Sequence, residues 1–336
     1  MTAFRWFSAA IAVAAIASAA IASAGATTPG SNGKIAFSRY LTTAKKTRAI
    51  FVVNPDGSGL VQLTHPAVGV QDQNPDWSSD GKWIAFSRCA SRCEVRIVAA
   101  RGGAPKRLGP NCQNRQPPAC EDRDSPAWAP NGQTLAVDRG WGPVDHNTIE
   151  YSDVALTDAE GGHVHELVVP KAYWGDVKRA HWAPDGKQLV IEEDDSGWKA
   201  SGPGKGHKAL FVINPNGSGL RQLTPWSLDA GDADWAPDGK LILFRSEPHD
   251  NDDGPGGNLY TIHPDGTSMH RLTDYAGSMI VLSSSFSPDG KSIVFSKTGT
   301  QGEPNIYTMN ADGTNVQPVT HTSLWESQAD WGPTSH

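Results

Sequence analysis

Several signatures are missing from this chain, and each absence removes a class of function. Past Thr27 no hydrophobic run approaches membrane-spanning length, because every apolar stretch is short and bounded by Gly, Pro, Asn or Asp. Nor is there a basic cluster: 29 Lys and Arg stand against 36 Asp and Glu, for a net charge of −7, which excludes a phosphate backbone as partner. The nucleophile elbow G-x-S-x-G is absent as well. Its nearest approaches, Gly57-Ser58-Gly59 and Gly217-Ser218-Gly219, lie inside hairpin turns. Zinc knuckles of the C-x2-C kind are missing too, since the four cysteines, Cys89, Cys93, Cys112 and Cys120, are spaced C-x3-C and C-x7-C.

The amino terminus reads as an export signal. Arg5 is followed by an apolar run from Ser8 to Ala22, and Ala22-Ser23-Ala24 and Ala24-Gly25-Ala26 both fit a small-residue cleavage site. Residues 1–26 are therefore expected to be a signal peptide and 27–336 a single domain with no transmembrane segment. Loss of Arg5 takes the charge from −7 to −8. In an exported chain the four cysteines should be oxidised. Three pairings are open, and local staples, Cys89 with Cys93 and Cys112 with Cys120, are the expected one.

What the chain does have is repetition. Trp77-Ser-Ser-Asp-Gly81, Trp128-Ala-Pro-Asn-Gly132, Trp182-Ala-Pro-Asp-Gly186, Trp235-Ala-Pro-Asp-Gly239 and Phe286-Ser-Pro-Asp-Gly290 recur at spacings of 51, 54, 53 and 51 residues, and Trp331-Gly-Pro333 follows 45 later. A short apolar strand comes next each time, such as Ile84-Ala85-Phe86 or Ile293-Val294-Phe295. Then a second phrase appears, clearest in Ile50–Thr64 (IFVVNPDGSGLVQLT) and Leu210–Thr224 (LFVINPNGSGLRQLT). β-Branched and aromatic residues make the strands, and Asp-Gly or Asn-Gly supplies the positive φ of a tight turn. Each repeat is thus two hairpins, and its Trp should fill the gap between neighbouring sheets.

W-[SA]-P-D-G-K followed by I-x-V-x-N-x-D-G-x-x-x-x-L-T resembles the propeller unit of the TolB family, a WD-repeat-like unit, and the resemblance runs from Gly33 to Pro333. It departs from TolB in one respect, since the residues before Gly33 leave no room for that protein's separate α/β domain. The expected fold is all-β, a six-bladed propeller of four-stranded antiparallel blades. The first blade lacks its innermost strand, and Ala329–Pro333 at the other end should supply it and close the ring.

Short Asp-Gly turns share one face of such a propeller, while the long, variable connections share the other, where binding sites are usually placed. Before the tryptophans and Phe286 stand Asp76, Ala127, His181, Asp234, Ser285 and Asp330, and two residues further back Asn74, Ser125, Arg179, Asp232, Ser283 and Gln328. From these and the loop aromatics, the expected partner-binding residues are Trp141, Trp174, Arg179, His181, Trp198, Trp226, Asp232, Asp234, Trp325 and Asp330. No catalytic residue, metal ligand or cofactor is expected. His163 and His165 have metal-pair spacing, but His165 aligns with Val61, Lys106, Arg221 and His270 on an outer strand. Asp250–Asp253 opens like a calcium loop, yet the EF-hand's twelfth position is Thr261, and a weak Ca²⁺ site there is left open.

By analogy with TolB, the resemblance implies a monomeric, non-catalytic module in the periplasm, cell envelope or medium that holds a protein, peptide or cell-envelope partner on its loop face. The rival is a polysaccharide-degrading lyase or hydrolase with a metal-assisted site at the channel mouth. Oligogalacturonate lyases resemble the same repeat and hold a metal with central histidines, whereas here only His181 stands on an innermost strand.

Overall fold

The computed structural model describes residues 29–109, 121–141, 151–162, 165–167, 176–195, 204, 206–246, 257–275, 279, 281–298 and 302–335, with the side chains of 141, 151 and 152 left aside. Among these residues the only helix is the 3₁₀ turn Trp226–Leu228, and all other regular structure is strand.

One sheet shows the plan. Asp176–Trp182, Leu189–Asp194, Lys208–Ile213 and Arg221–Gln222 pair antiparallel in sequence order. Three further four-stranded sheets begin at Asp122–Trp128, Ala230–Trp235 and Val281–Phe286. An eight-stranded sheet contains the same plan twice, joined by the single parallel pair Arg48 with Gln71. In one half Glu326–Pro333 lies antiparallel beside Asn32–Tyr40, with Trp331 opposite Ile35 and Glu326 opposite Arg39. The carboxyl-terminal strand therefore occupies the place that the amino-terminal sequence leaves empty.

The second phrase of the repeat is explained by its bonds. Asp56 accepts from the Ser58 N–H and hydroxyl, Gly57 takes φ 83°, and Asn216 with Ser218 repeats the arrangement. The closing Thr is equally fixed: Thr64, Thr224, Thr273 and Thr320 accept through their hydroxyls from the N–H of Ile50, Leu210, Leu259 and Ile306 at 2.9–3.0 Å. This bond ties the short outer strand to the third strand.

Hydrophobic burial lies between sheets rather than within them. Trp77 packs on Ile50 and Val52 of the half-sheet before it, Trp128 on Ala85 and Val95, and Trp182 on Val154 and Leu156. Trp235 does the same with Val190 and Leu210, and Phe286 with Leu243 and Leu259. Trp331 shares a cluster with Val294, Ile306 and Val319. Each aromatic therefore belongs to one sheet by sequence and to a sheet boundary by packing, so truncating one to Ala is expected to cost about 3–5 kcal/mol.

Candidate functional site

The innermost strands meet the second strands with a bulge. Register shifts fall between Gln73 and Asp76, Asp124 and Ala127, Lys178 and His181, and Gly231 and Asp234. At or beside each shift a non-glycine residue is held at positive φ: Asn74 at 51°, Ser125 at 45°, Arg179 at 50°, Asp232 at 50°, and Gln328 of the carboxyl-terminal strand at 58°. Each such conformation costs about 1 kcal/mol or more and persists only where its surroundings over-determine it. Here the surroundings do so by bonding the backbone N–H of the bulge from the preceding sheet. Gln328 Oε1 accepts from Asn74 at 3.2 Å, Ser87 Oγ from Ser125 at 3.0 Å, Asp138 Oδ1 from Arg179 at 2.8 Å and Glu192 Oε2 from Asp232 at 3.3 Å.

These five residues line a polar funnel of about 80 Å³. Below it a smaller chamber runs toward the tryptophans, and Asp76, His181, Asp234 and Asp330 border both spaces. These four form the neck. Three of them have a structural task as well, because Asp330 accepts from the Trp77 N–H at 2.7 Å, Asp76 from that of Trp128 at 2.6 Å, and Asp234 from that of Phe286 at 2.8 Å. Each of these three carboxylates thus staples its own four-stranded group to the next, Asp330 doing so between the halves of the eight-stranded sheet. The Ser285 hydroxyl donates to Asp330 at 3.0 Å.

Burial dominates the electrostatics of the neck. It raises Asp76 well above the ordinary carboxylate range, with the charges of Asp330 and Asp234 adding to the effect, and lifts Asp330 to about 6. Burial also lowers His181 to about 4, so the imidazole is neutral at physiological pH. At the funnel wall, burial alone would raise Asp232, but Arg179 and Arg245 outweigh it and hold the carboxyl at about 2. Arg179 forms an ion pair with Asp232 and lies 3.9 Å from Glu192, so at the wall one guanidinium stands between two carboxyl groups.

Arg179, His181, Asp232, Asp234 and Asp330 of the expected set come together here. Trp226 and Trp325 do not line the funnel. Trp226 meets the Phe211 ring edge-on at 5.8 Å, and Trp325 carries the Lys45 ammonium 4.5 Å from its ring centre and donates to Ser327 Oγ at 3.3 Å. The Trp141 ring, Trp174, Trp198, Cys112, Cys120 and Asp250–Asp253 lie outside the described residues. Cys89 and Cys93 are joined in a disulfide.

Sequence reasoning passed over Asp138 and Glu192. A signal was present: ten residues after each Trp or Phe stand Ser87, Asp138, Glu192, Arg245 and Ser296, so a charge replaces Ser at three of these places inside an apolar strand. Among the described residues the one trio of metal-ligand type with ligand atoms within 4.8 Å is Cys89, Cys93 and Asp124, and both sulfurs are spent in the disulfide.

No model of a known protein family matches the chain. A stretch of 156 residues, 38% of the chain, is 25% identical to an uncharacterized peptidase, YuxL of Bacillus subtilis, and spans only 22% of that protein. Among solved structures, TolB from Acinetobacter baumannii superposes with a TM-score of 0.69 at 16% identity, over 91% of this chain and 68% of that one. Oligogalacturonate lyase from Vibrio parahaemolyticus gives 0.52 at 15% identity, over 89% of this chain and 81% of that one. The fold is that of a TolB-like propeller.

Proposed function

We propose that the four-stranded groups close into one six-bladed ring, and that this exported chain is a non-catalytic binding module holding a protein, peptide or cell-envelope partner at the funnel mouth. Support for closure comes from the cluster in which Val294, Ile306 and Val319 of the last sheet pack on Ile35, Phe37 and Trp331 of the sheet that joins the two ends of the chain. Export is supported by the Cys89–Cys93 disulfide, which an oxidising compartment favours. Among the described residues no helix is long and apolar enough to cross a membrane.

The observation that carries the binding role is the row of five non-glycine residues held at positive φ around one cavity. A preorganised polar mouth lowers the ordering cost of association. On this reading Arg179 and Asp232 fix the partner's register, and the loop aromatics Trp141, Trp174 and Trp198 supply apolar anchoring around them. Trp226 and Trp325 brace the loops on which the partner rests. Because Asp234 and Asp330 are also staples, a charge reversal there would disturb the sheets, and the cleaner probe of the mouth is Arg179.

The test is cross-linking of the exported protein in its native host, identification of the cross-linked partner by mass spectrometry, and measurement of its affinity for variants. Arg179→Gln is expected to weaken binding about tenfold or more, while His165→Ala and His270→Ala on the outer strands leave it unchanged. Loss of binding in the outer-strand variants, with Arg179→Gln intact, would place the partner on the rim and overturn this reading. The competing enzyme reading predicts that purified protein retains a divalent metal after dialysis and cleaves oligogalacturonate.

A further inference from the structure

A second concave surface lies at the opposite end of the sheets, between the half-sheet holding both chain ends and the one beginning at Gln71. Its floor is Trp77 and Pro333, its walls are Pro55, Trp83, Ala99 and Ala100, and it encloses about 1120 Å³. This is the Asp-Gly turn face, where the repeat holds its residues most constant.

Two departures from the repeat converge on this groove. The place of Trp83 is held elsewhere by Lys34, Thr134, Gln188, Leu241 and Ser292, and Trp83 is 46% exposed. Where the other third-strand turns carry Asn54-Pro-Asp56, Asp158-Ala-Glu160, Asn214-Pro-Asn216, His263-Pro-Asp265 and Asn310-Ala-Asp312, the groove has Ala99-Ala100-Arg101. A cation stands where four repeats have an acid and one an Asn, next to an exposed indole with no counterpart in the other repeats. Neither change improves the turn.

The charges have a sign. Among the described residues Lys34 and Arg101 have no ion-pair partner and Lys82 is 3.4 Å from Asp80, so three cations, Lys34, Lys82 and Arg101, line the groove against the one carboxylate of Asp56, which accepts from Ser58. A local surplus of positive charge in a chain of net −7 favours an anionic ligand. Two amide atoms of the lining are turned inward: Asn54 Nδ2 donates to Ser58 Oγ at 2.9 Å, and Asn32 Oδ1 accepts from the Asp289 N–H at 3.1 Å. An apolar wall beside unpaired cations suits a peptide that carries an apolar side chain between carboxylates.

We propose that this groove docks a short acidic peptide segment of a partner protein, with an apolar side chain seated against Trp83 and Ala99–Ala100 and flanking carboxylates paired with Lys34 and Arg101. This site is separate from the funnel, and its test does not depend on the funnel's partner. The probe is a fluorescein-labelled Glu-Asp-Leu-Phe-Asp-Glu-Leu peptide, set against the same peptide with Lys at every acidic place and against an oligogalacturonate competitor.

Saturable anisotropy is expected for the acidic peptide, with affinity about tenfold or more above that for its Lys counterpart and falling with added salt. Trp83→Thr and Arg101→Asp, each borrowing a residue type that another repeat places there, should each weaken binding about fivefold or more while leaving the melting temperature in place. His270→Ala should bind as the parent does. Equal binding of both peptides, no binding, stronger competition by oligogalacturonate, or a concentration-dependent dimer that Trp83→Thr abolishes would each overturn the proposal, the last by showing that a second copy fills the groove.

Discussion

From the sheet of Trp235 through the chain ends to that of Trp128, the inner strands are stapled by Asp234, Ser285, Asp330 and Asp76, each bonded to the next sheet's Trp or Phe N–H. From Trp128 to Trp235 the same places hold Ala127 and His181, and the anchoring moves up one row, to Asp138 beneath Arg179 and Glu192 beneath Asp232. In the first arc the acceptors of that upper row are neutral, Gln328 and Ser87. Where the neck lacks its staple, at Ala127 and His181, the wall above gains a carboxylate, and with it come the ion pairs of Arg179 and Lys178. Anchoring and charge are exchanged between two heights of one funnel, so its charged wall falls on one side.

Removing a staple is the strongest way to break this comparison. Asp76→Ala leaves the N–H of Trp128 unpaired in a buried position, and the expected loss is about 2 kcal/mol, read as a lower urea midpoint. Asp76→Asn keeps an acceptor and sheds a carboxyl that burial and two neighbouring acids disfavour, so it should be at least as stable as the parent. If the Ala and Asn variants behave alike, the hydrogen bond is not what the carboxylate supplies.

A smaller effect separates the arcs by pH. Burial, then the charge of Asp124, raises Asp138 to about 8. In the unfolded chain this group loses its proton near pH 4, so between about pH 4 and 8 the folded state binds the extra proton and stability falls as pH rises. Asp138→Asn removes the penalty while Asn can still accept from Arg179. Denaturant melts should show little change at pH 4 and a gain at pH 9. A variant that is weaker at pH 9 and unchanged at pH 4 would assign Asp138 a charge-dependent role under Arg179.

How far these arcs could be read in advance follows from what the repeat encodes. The strands, turns and aromatic layer were legible because each rests on residues close in sequence or on a Trp that recurs, such as the bond of Thr64 to Ile50. The mouth row was legible as register, since Asn74, Ser125, Arg179, Asp232 and Gln328 hold one place in the phrase. The staples were not. Asp76 and the N–H of Trp128 are 52 residues apart and meet only when two sheets pack, so the structural task of that carboxylate leaves no mark in the phrase. The contacts of Trp226 and Trp325 were hidden for a related reason: they lie in connections the repeat does not constrain, and they pack on Phe211 and Lys45.

The smallest effect is also the sharpest, because it adds a staple instead of removing one. Ala127 is buried and stands where Asp76 stands in the preceding sheet, so a short acceptor there should reach the N–H of Trp182 as Asp76 reaches that of Trp128. Ala127→Asn supplies that acceptor without charge and is expected to stabilise by about 0.5–1 kcal/mol at any pH. Ala127→Asp supplies it with a carboxyl beside Asp76, Asp234 and Asp330, all bordering one chamber. Its folded pKa should therefore rise as those of Asp76 and Asp330 do, which makes it equal to the Asn variant at pH 4 and inferior to it as pH rises through about 6. Urea melts of the two variants at pH 4 and pH 8 decide the matter. If the Asn variant gains nothing at either pH, the gap at Ala127 is already filled by the bond one row above, from Asp138 to Arg179, and the two heights are alternatives rather than additive anchors.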